Sequence, residues 1–207
     1  MYLSRLKIDT KNYCTLRAMQ NLEVLHGMVE RSFSGPRQRN LWRLDQLNES
    51  DYILLLSKVP PDTKVLAEQI GFPEEEWETK SYDSLLNRIK KGTYWRFRLN
   101  ANPTTKVSRG KGKRGKVKAI TINARQKEWL ERQSAKYGFD LIHDQYEITR
   151  SEWKTFKKGK KMSYILSVTY EGILQVTDAD QFCDALINGI GREKAYGMGL
   201  LTVMSYE

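Results

Sequence analysis

The sequence is short of several things, and each shortage removes a class of protein. It has only two cysteines, Cys14 and Cys183, with no CxxC and no histidine at ligand spacing, so neither a disulfide framework nor a zinc site is expected. Both cysteines read as small buried apolar residues in a reducing compartment. The first ten residues, MYLSRLKIDT, lack the apolar run of a signal peptide, and no segment approaches the roughly 18 apolar residues of a membrane span. The expectation is a cytoplasmic chain without membrane contact. Neither GxxxxGK[ST] nor GxGxxG can be read, which weakens any nucleotide-binding assignment. No GxSxG, no paired carboxylates at metal spacing and no Cys-His arrangement stand out, so no metal and no cofactor is called for. The most telling shortage is of negative charge: between Asp83 and Glu128 there is no acidic residue at all.

That same stretch holds fourteen Lys and Arg, leaving 21 basic against 25 acidic residues elsewhere in a chain of net charge +10. A basic middle on a mildly acidic remainder is the footprint of a polyanion binder, since neutralised phosphates release counterions; a solvated basic loop with no partner is the plainer alternative. Within it, residues 102–118 (NPTTKVSRGKGKRGKVK) have almost nothing to bury and read as a mobile basic loop. With 207 residues and 40% apolar content, the chain can form one large domain or two small ones around a real core.

Periodicity supplies the elements. Residues 2–8 read as a strand and 12–33 as one helix with Cys14, Ala18, Leu22, Leu25, Val29 and Phe33 on a shared face, His26 at its border, and Gly35-Pro36 as its stop. Residues 40–47 and 52–58 read as a hairpin, 62–70 and 82–90 as short amphipathic pieces, and 93–99 as a strand closing a first β-α-β-β-α-β unit. After the basic loop come a strand at 117–122, a helix at 124–137 ended by Gly138, strands at 139–149 and 162–170 separated by 150–161, more sheet at 173–176, a helix at 178–187 and a last strand at 200–204. The same order therefore occurs twice. The expected fold is α+β, a tandem ferredoxin-like arrangement with domains at 1–101 and 102–207.

Between that last helix and strand lies GIGREKAYGMGLL, Gly189 to Leu201. Entered from a helix and leaving into a strand, it has the reverse order of a phosphate loop. Its glycines Gly189, Gly191, Gly197 and Gly199 let the backbone approach something closely, while Arg192 and Lys194 supply charge and Tyr196 a flat face. A turn that merely closes the last strand is the alternative. Of the histidines, His143 lies in an alternating strand and suggests no chemistry. His26 has Glu23 three positions before it and Glu30 four after it, which from spacing alone favours a solvated surface residue, with an assisted imidazole as the alternative. An enzyme acting on RNA needs no metal, because the 2′-hydroxyl can attack the adjacent phosphate if one group takes its proton, another protonates the leaving 5′-oxygen, and positive charge holds the phosphate.

MYLSRLKI at the start, LHGMV around His26, LWRLD at 41–45, RFRLNANPT at 96–104, KEWLERQ at 127–133 and above all GIGREKAYGMGLLTV at 189–203 occur in one order. In these the chain resembles the CasE-type CRISPR RNA-processing endoribonucleases, the repeat-cleaving subunit of the type I-E Cascade complex within the RAMP superfamily. The resemblance implies tandem ferredoxin-like folds and a metal-independent cut at the base of the CRISPR repeat hairpin, leaving a 5′-hydroxyl and a cyclic phosphate. It implies a catalytic role for His26 as base or acid, and a phosphate contact for Arg31. Some relatives carry tyrosine three residues before this histidine, where Glu23 stands here. The stem would be held by the glycine loop and by the basic hairpin WKTFKKGKK, with Lys154, Lys157, Lys158, Lys160 and Lys161, alongside Lys106, Arg109, Lys111, Lys113 and Arg114 of the basic loop. The implied partners are the repeat hairpin and Cascade subunits, with a monomer expected when free. A non-catalytic RAMP-type scaffold is the competing class, and a ribosomal or regulatory RNA-binding protein a third.

Overall fold

The computed structural model describes residues 1–70, 77–110, 112–113 and 115–206. The chain begins with strand β1 (Tyr2–Lys7) and two helices, α1 (Tyr13–Met19) and α2 (Leu22–Arg31), where one helix is expected from the periodicity. The break has a local cause. Asn21 adopts an extended backbone and its side chain accepts from the Glu23 amide, a hydrogen-bonded N-cap that restarts the helix. The reset also explains why Cys14 is exposed instead of buried.

The hairpin of β2 (Leu41–Leu47) and β3 (Ser50–Ser57) turns through Asn48 and Glu49, both with positive φ (47° and 63°), the conformation a two-residue turn between twisted strands requires. Helix α3 (Thr63–Ile70), strand β4 (Trp77–Ser81) and the single turn α4 (Asp83–Leu86) follow. The second part of the chain comprises β5 (Tyr94–Ala101), β6 (Thr104–Val107), β7 (Lys116–Ala119), α5 (Asn123–Lys136), β8 (Phe139–Lys158), β9 (Lys161–Val176), α6 (Ala179–Asn188) and β10 (Leu201–Ser205).

Two four-stranded antiparallel sheets result, ordered β2-β3-β1-β4 and β10-β5-β9-β8. Each is built as βαββαβ with its first and third strands in the middle. The fold is α+β with two ferredoxin-like units. The units divide elsewhere than expected. Strand β5 opens the second unit, pairing with β9 (Leu99 opposite Tyr170) and with β10 (Leu99 opposite Leu201), and does not close the first. The fourth strand of the first sheet is β4, paired with β1 through Leu3 opposite Lys80 and Arg5 opposite Glu78. An edge strand whose Glu78, Thr79 and Lys80 are all exposed has no apolar alternation to betray it.

Two further expectations are corrected. Residues 102–118 are not a structureless loop: β6 and β7 pair as a separate two-stranded sheet, with Thr105 opposite Lys118, and β7 joins neither large sheet. Lys111 and Arg114 lie outside the described residues. Residues 150–161 do not separate two strands either; β8 runs through them and pairs with β9 to Lys158 opposite Lys161. Register shifts between Leu141 and Tyr146 and between Ile148 and Arg150 interrupt the alternation that would have shown one long strand. Among the described residues no helix is long and apolar enough to cross a membrane.

The cores of the units interlock. Leu41 and Leu56 of the first sheet pack with Trp95, Leu99, Phe182 and Leu200 of the second unit, while Phe156, Ile165, Tyr196 and Met198 pack into the cluster built by α2 and the first sheet. Arg43, 2% exposed, joins them. Its guanidinium donates to both carboxylate oxygens of Asp45 (2.7 Å each), to the Arg98 and Leu200 carbonyls (3.0 and 2.9 Å) and to Thr202 Oγ1 (2.8 Å). A planar five-donor group can satisfy so many acceptors at once; lysine cannot.

Candidate functional site

Helix α2 buries Leu22, Leu25, Met28 and Val29 and turns Glu23, His26 and Glu30 toward a cleft of about 820 Å³ between the two units. The opposite wall is the glycine loop, together with Lys158 from the β8–β9 hairpin; Arg37, Arg39 and Asn40 from the segment after α2 complete it. His26 and the glycine loop, far apart in sequence, therefore face each other as the sequence reading requires.

What presses the loop into place is its glycines. Gly197 has φ 78°, and a Cβ there would come within 2.8 Å of the Trp42 ring; at Gly189 (φ 72°) a Cβ would lie 2.9 Å from Leu41 Cδ1. The close approach they permit is to the protein's own strand β2, where a nucleic-acid partner was expected. Trp42 Nε1 donates to the Ala195 carbonyl (3.2 Å), and Lys194 Nζ donates to the Asn188 and Gly189 carbonyls (2.7 and 2.8 Å) at the end of α6. Those orphan carbonyls suit a cation, so the Lys194 amine closes a helix as well as lining the cleft. Burial, with Arg39 and Lys136 nearby, holds its pKa below the usual lysine value.

Tyr196 is 6% exposed and cannot offer a face to a base. Its hydroxyl donates to Glu23 Oε2 (2.9 Å), its ring meets His26 edge-on with centroids 6.0 Å apart, and Phe156 packs against it at 4.7 Å. Lys158 Nζ lies 5.2 Å from the ring centroid. Burial and the Glu23 carboxylate push the tyrosine pKa up against the opposing effect of Lys158, whose own pKa is raised by the phenol beside it.

His26 Nε2 is 3.4 Å from Arg37 Nη2, and Arg37 Nε is bound to Glu30 (2.9 Å). Arginine only donates, so a hydrogen bond there requires an unprotonated Nε2, the state in which the ring can accept a proton. Arg37, Arg39, Lys158 and Arg192 give the cleft a cationic rim, with Glu23 and Glu30 already engaged by Tyr196 and Arg37.

Of the residues singled out in the sequence, His26, Lys158, Gly191, Arg192, Lys194 and Tyr196 line this cleft. Arg31 does not: five positions along an α-helix place it about 140° round from His26, and its guanidinium lies over Gly27. Gly199, like Gly189 and Gly197, is turned to the protein interior. Lys157, Lys160 and Lys161 are exposed at the tip of the β8–β9 hairpin, Lys154 is paired with Glu152, and Lys106, Arg109 and Lys113 are exposed on the β6–β7 hairpin, outside the cleft. His143 is exposed on β8 beside Asp144. Sequence reasoning missed Arg37 and Arg39. The signal was the pair of arginines in GPRQRN directly after the helix carrying His26. Among the described residues no group of three or more His, Cys, Asp and Glu could hold a metal ion.

Residues 1–204 match a family model described as CRISPR associated protein. The chain belongs to the CRISPR-associated protein family. Within that family it is 29% identical over 221 residues to the CRISPR-associated endoribonuclease Cse3 of Thermus thermophilus, covering 98% of this chain and 99% of the relative. It is 28% identical over 163 residues to the CRISPR system Cascade subunit CasE of Escherichia coli K12, covering 75% of each. A solved structure of CRISPR endoribonuclease Cse3 bound to 19 nt RNA superposes with a TM-score of 0.84 at 27% identity, covering 99% of this chain and 100% of that one. This CRISPR-associated chain is thus of the CasE/Cse3 type.

Proposed function

We propose that this CasE/Cse3-type endoribonuclease cuts precursor CRISPR RNA within the repeat, at the base of its hairpin, by a metal-independent transesterification in the His26 cleft. The observation that carries the proposal is the placement of an accessible imidazole, its Nε2 beside Arg37, in a cationic cleft walled by both units. The 2′-oxygen attacks the neighbouring phosphorus and loses its proton to a base; the P–O5′ bond breaks and the 5′-oxygen takes a proton. The products are a 2′,3′-cyclic phosphate and a 5′-hydroxyl. His26 moves one of these protons, as base or as acid. Arg37, Lys158 and Arg192 are placed to face the charge that builds on the phosphate oxygens. The hairpin stem lies along the β8–β9 tip, where Lys157, Lys160 and Lys161 meet its phosphates. The names of the relatives support RNA as substrate and a place for the matured product in Cascade.

His26→Ala should bind a synthetic repeat hairpin with a Kd within about twofold of the parent and cut it roughly 10² to 10⁴ times more slowly. Parent enzyme should work undiminished in EDTA and leave cyclic-phosphate ends. Undiminished cutting by His26→Ala, or its complete loss in the parent on adding EDTA, refutes the mechanism. A parent protein that binds the hairpin and never cuts it is the scaffold instead.

A further inference from the structure

An imidazole on the outer side of a helix turns freely unless something holds it, and proton transfer tolerates little misplacement. Among the described residues, Arg37 after α2 and Tyr196 across the cleft meet the His26 ring, with Glu23 and Glu30 beside it on α2 and Lys158 over the tyrosine. Glu30 and Arg37 are bound to each other on the exposed side, and Arg37 is 75% exposed at its side chain, a weak fixture. Tyr196 is the opposite case. Its hydroxyl is bound to Glu23, three residues before His26 on the same helix, and one side of its ring is packed by Phe156. Its backbone lies between Ala195, bonded to Trp42, and Gly197, pressed on the same indole. The ring edge against His26 is thus the best-anchored surface that the imidazole meets.

We infer that Tyr196, tethered by Glu23, is a positioning residue that fixes the His26 imidazole for proton transfer. The inference rests on the reading of His26 as the proton-transfer group. Tyr196 lines the cleft but is 6% exposed with its hydroxyl bound to Glu23, so it offers substrate little and bears on the reaction through His26. Glu23 is correspondingly occupied: its carboxylate spends an acceptor on the phenol and ties the C-terminal unit to the helix of the N-terminal one at the turn where the histidine stands.

The test compares the parent, Tyr196→Phe, Glu23→Gln, the double variant and His26→Ala in single-turnover cleavage at saturating hairpin RNA, with Kd measured separately. Imidazole ¹⁵N spectra accompany the kinetics. The chain has two histidines, so His143, exposed and remote from the cleft, is an internal reference. Both single variants keep the packed ring and should stay folded. The expected result is a roughly 10- to 100-fold slower cut, Kd within about twofold, and a His26 resonance that shifts and broadens while that of His143 does not move. The double variant should be no slower than the worse single one, because the two groups act as one tether. Cleavage within about twofold of the parent in both single variants while His26→Ala is inactive would overturn the inference and leave the His26 mechanism standing. A lowered melting temperature with an unmoved His26 resonance would also overturn it, assigning Tyr196 to packing only. Full activity of His26→Ala removes the foundation, and the inference falls with it.

Discussion

Gly197→Ala tests how the cleft is built. Alanine at a φ of 78° costs about 1 to 2 kcal/mol of backbone strain by itself. Its Cβ would meet the Trp42 ring at 2.8 Å. Ordinary contact begins near 3.4 Å, so the loop must lift from the indole by about 0.6 Å, and crowding of this kind in a packed interior costs about 1 to 3 kcal/mol. Trp42 is only 1% exposed and cannot move aside. The sum, roughly 2 to 5 kcal/mol, is a large share of a typical stability, and corresponds to a melting temperature lower by roughly 4 to 20 °C for a chain of this size. Gly92→Ala is the matched control: φ is 87° and no atom lies within 4 Å of the new Cβ, so it bears the strain alone, about 1 to 2 kcal/mol. Urea unfolding of both variants isolates the difference. Lifting the loop also moves Tyr196, so Gly197→Ala should cut more slowly than Gly92→Ala at saturating RNA. Equal destabilisation of the two variants, within about 0.5 kcal/mol, would refute the claim that the loop is pressed on β2.

Arg43→Ala leaves the Asp45 carboxylate, 6% exposed at its side chain, without its bidentate partner and should cost about 3 to 5 kcal/mol by denaturant unfolding, with part regained in the double variant Arg43→Ala/Asp45→Ala. Replacing Lys157, Lys160 and Lys161 together with Ala should weaken hairpin binding and lower the slope of log affinity against log salt by about 0.7 to 0.9 for each phosphate that the protein then leaves unneutralised; an unchanged slope removes the β8–β9 tip from the RNA interface. Glu152 supplies a pH dependence. Burial raises its carboxyl pKa, but hydrogen bonds from Lys154 and Arg150 and their charges bring it below the usual carboxylate value. A depressed carboxylate stabilises the fold fully at neutral pH and loses that contribution as the pH falls below about 4. The stability difference between parent and Glu152→Gln, under about 1 kcal/mol for so exposed a pair, should therefore be present in urea titrations at pH 7 and shrink as the pH is taken below the usual carboxylate range. A difference that persists unchanged at low pH contradicts this.

The sequence makes the repeated βαββαβ order legible because both hairpins and the helices packed on them carry apolar residues at regular spacing: Leu22, Leu25 and Val29 on α2, Phe182, Ala185 and Leu186 on α6. Membership of a strand in one sheet or the other is a different kind of fact. Trp95, Phe97 and Leu99 state that β5 has a buried face, but the alternation is the same whichever sheet supplies the partners, and only the pairing with β9 and β10 decides. Strand β4 carries no such signal, being held by its backbone at an edge. In the site, His26 and the glycine loop could be read from motif and order. Arg37 and Arg39 stand in GPRQRN just after the His26 helix, but nothing in a surface loop says which way it folds back, so the pair marks a candidate and not a place in the cleft. Tyr196 and the loop glycines are recognisable as special in the sequence, but which way each faces is not: Gly189 and Gly197 are closed against Leu41 and Trp42 of β2, while Gly191 and Tyr196 line the cleft.

The hydrogen bond between Tyr196 and Glu23 also imposes an order in time. During synthesis the histidine-bearing helix leaves the ribosome long before the loop that faces it, and domains fold as they emerge. A chain stopped before Gly189 keeps His26 but has no second wall, no Lys194 closing α6 and no phenol beside the imidazole. A nuclease made on a ribosome is surrounded by RNA that it must not cut. With that wall encoded far downstream of the helix, this one acquires a finished cleft only after the glycine loop has been made.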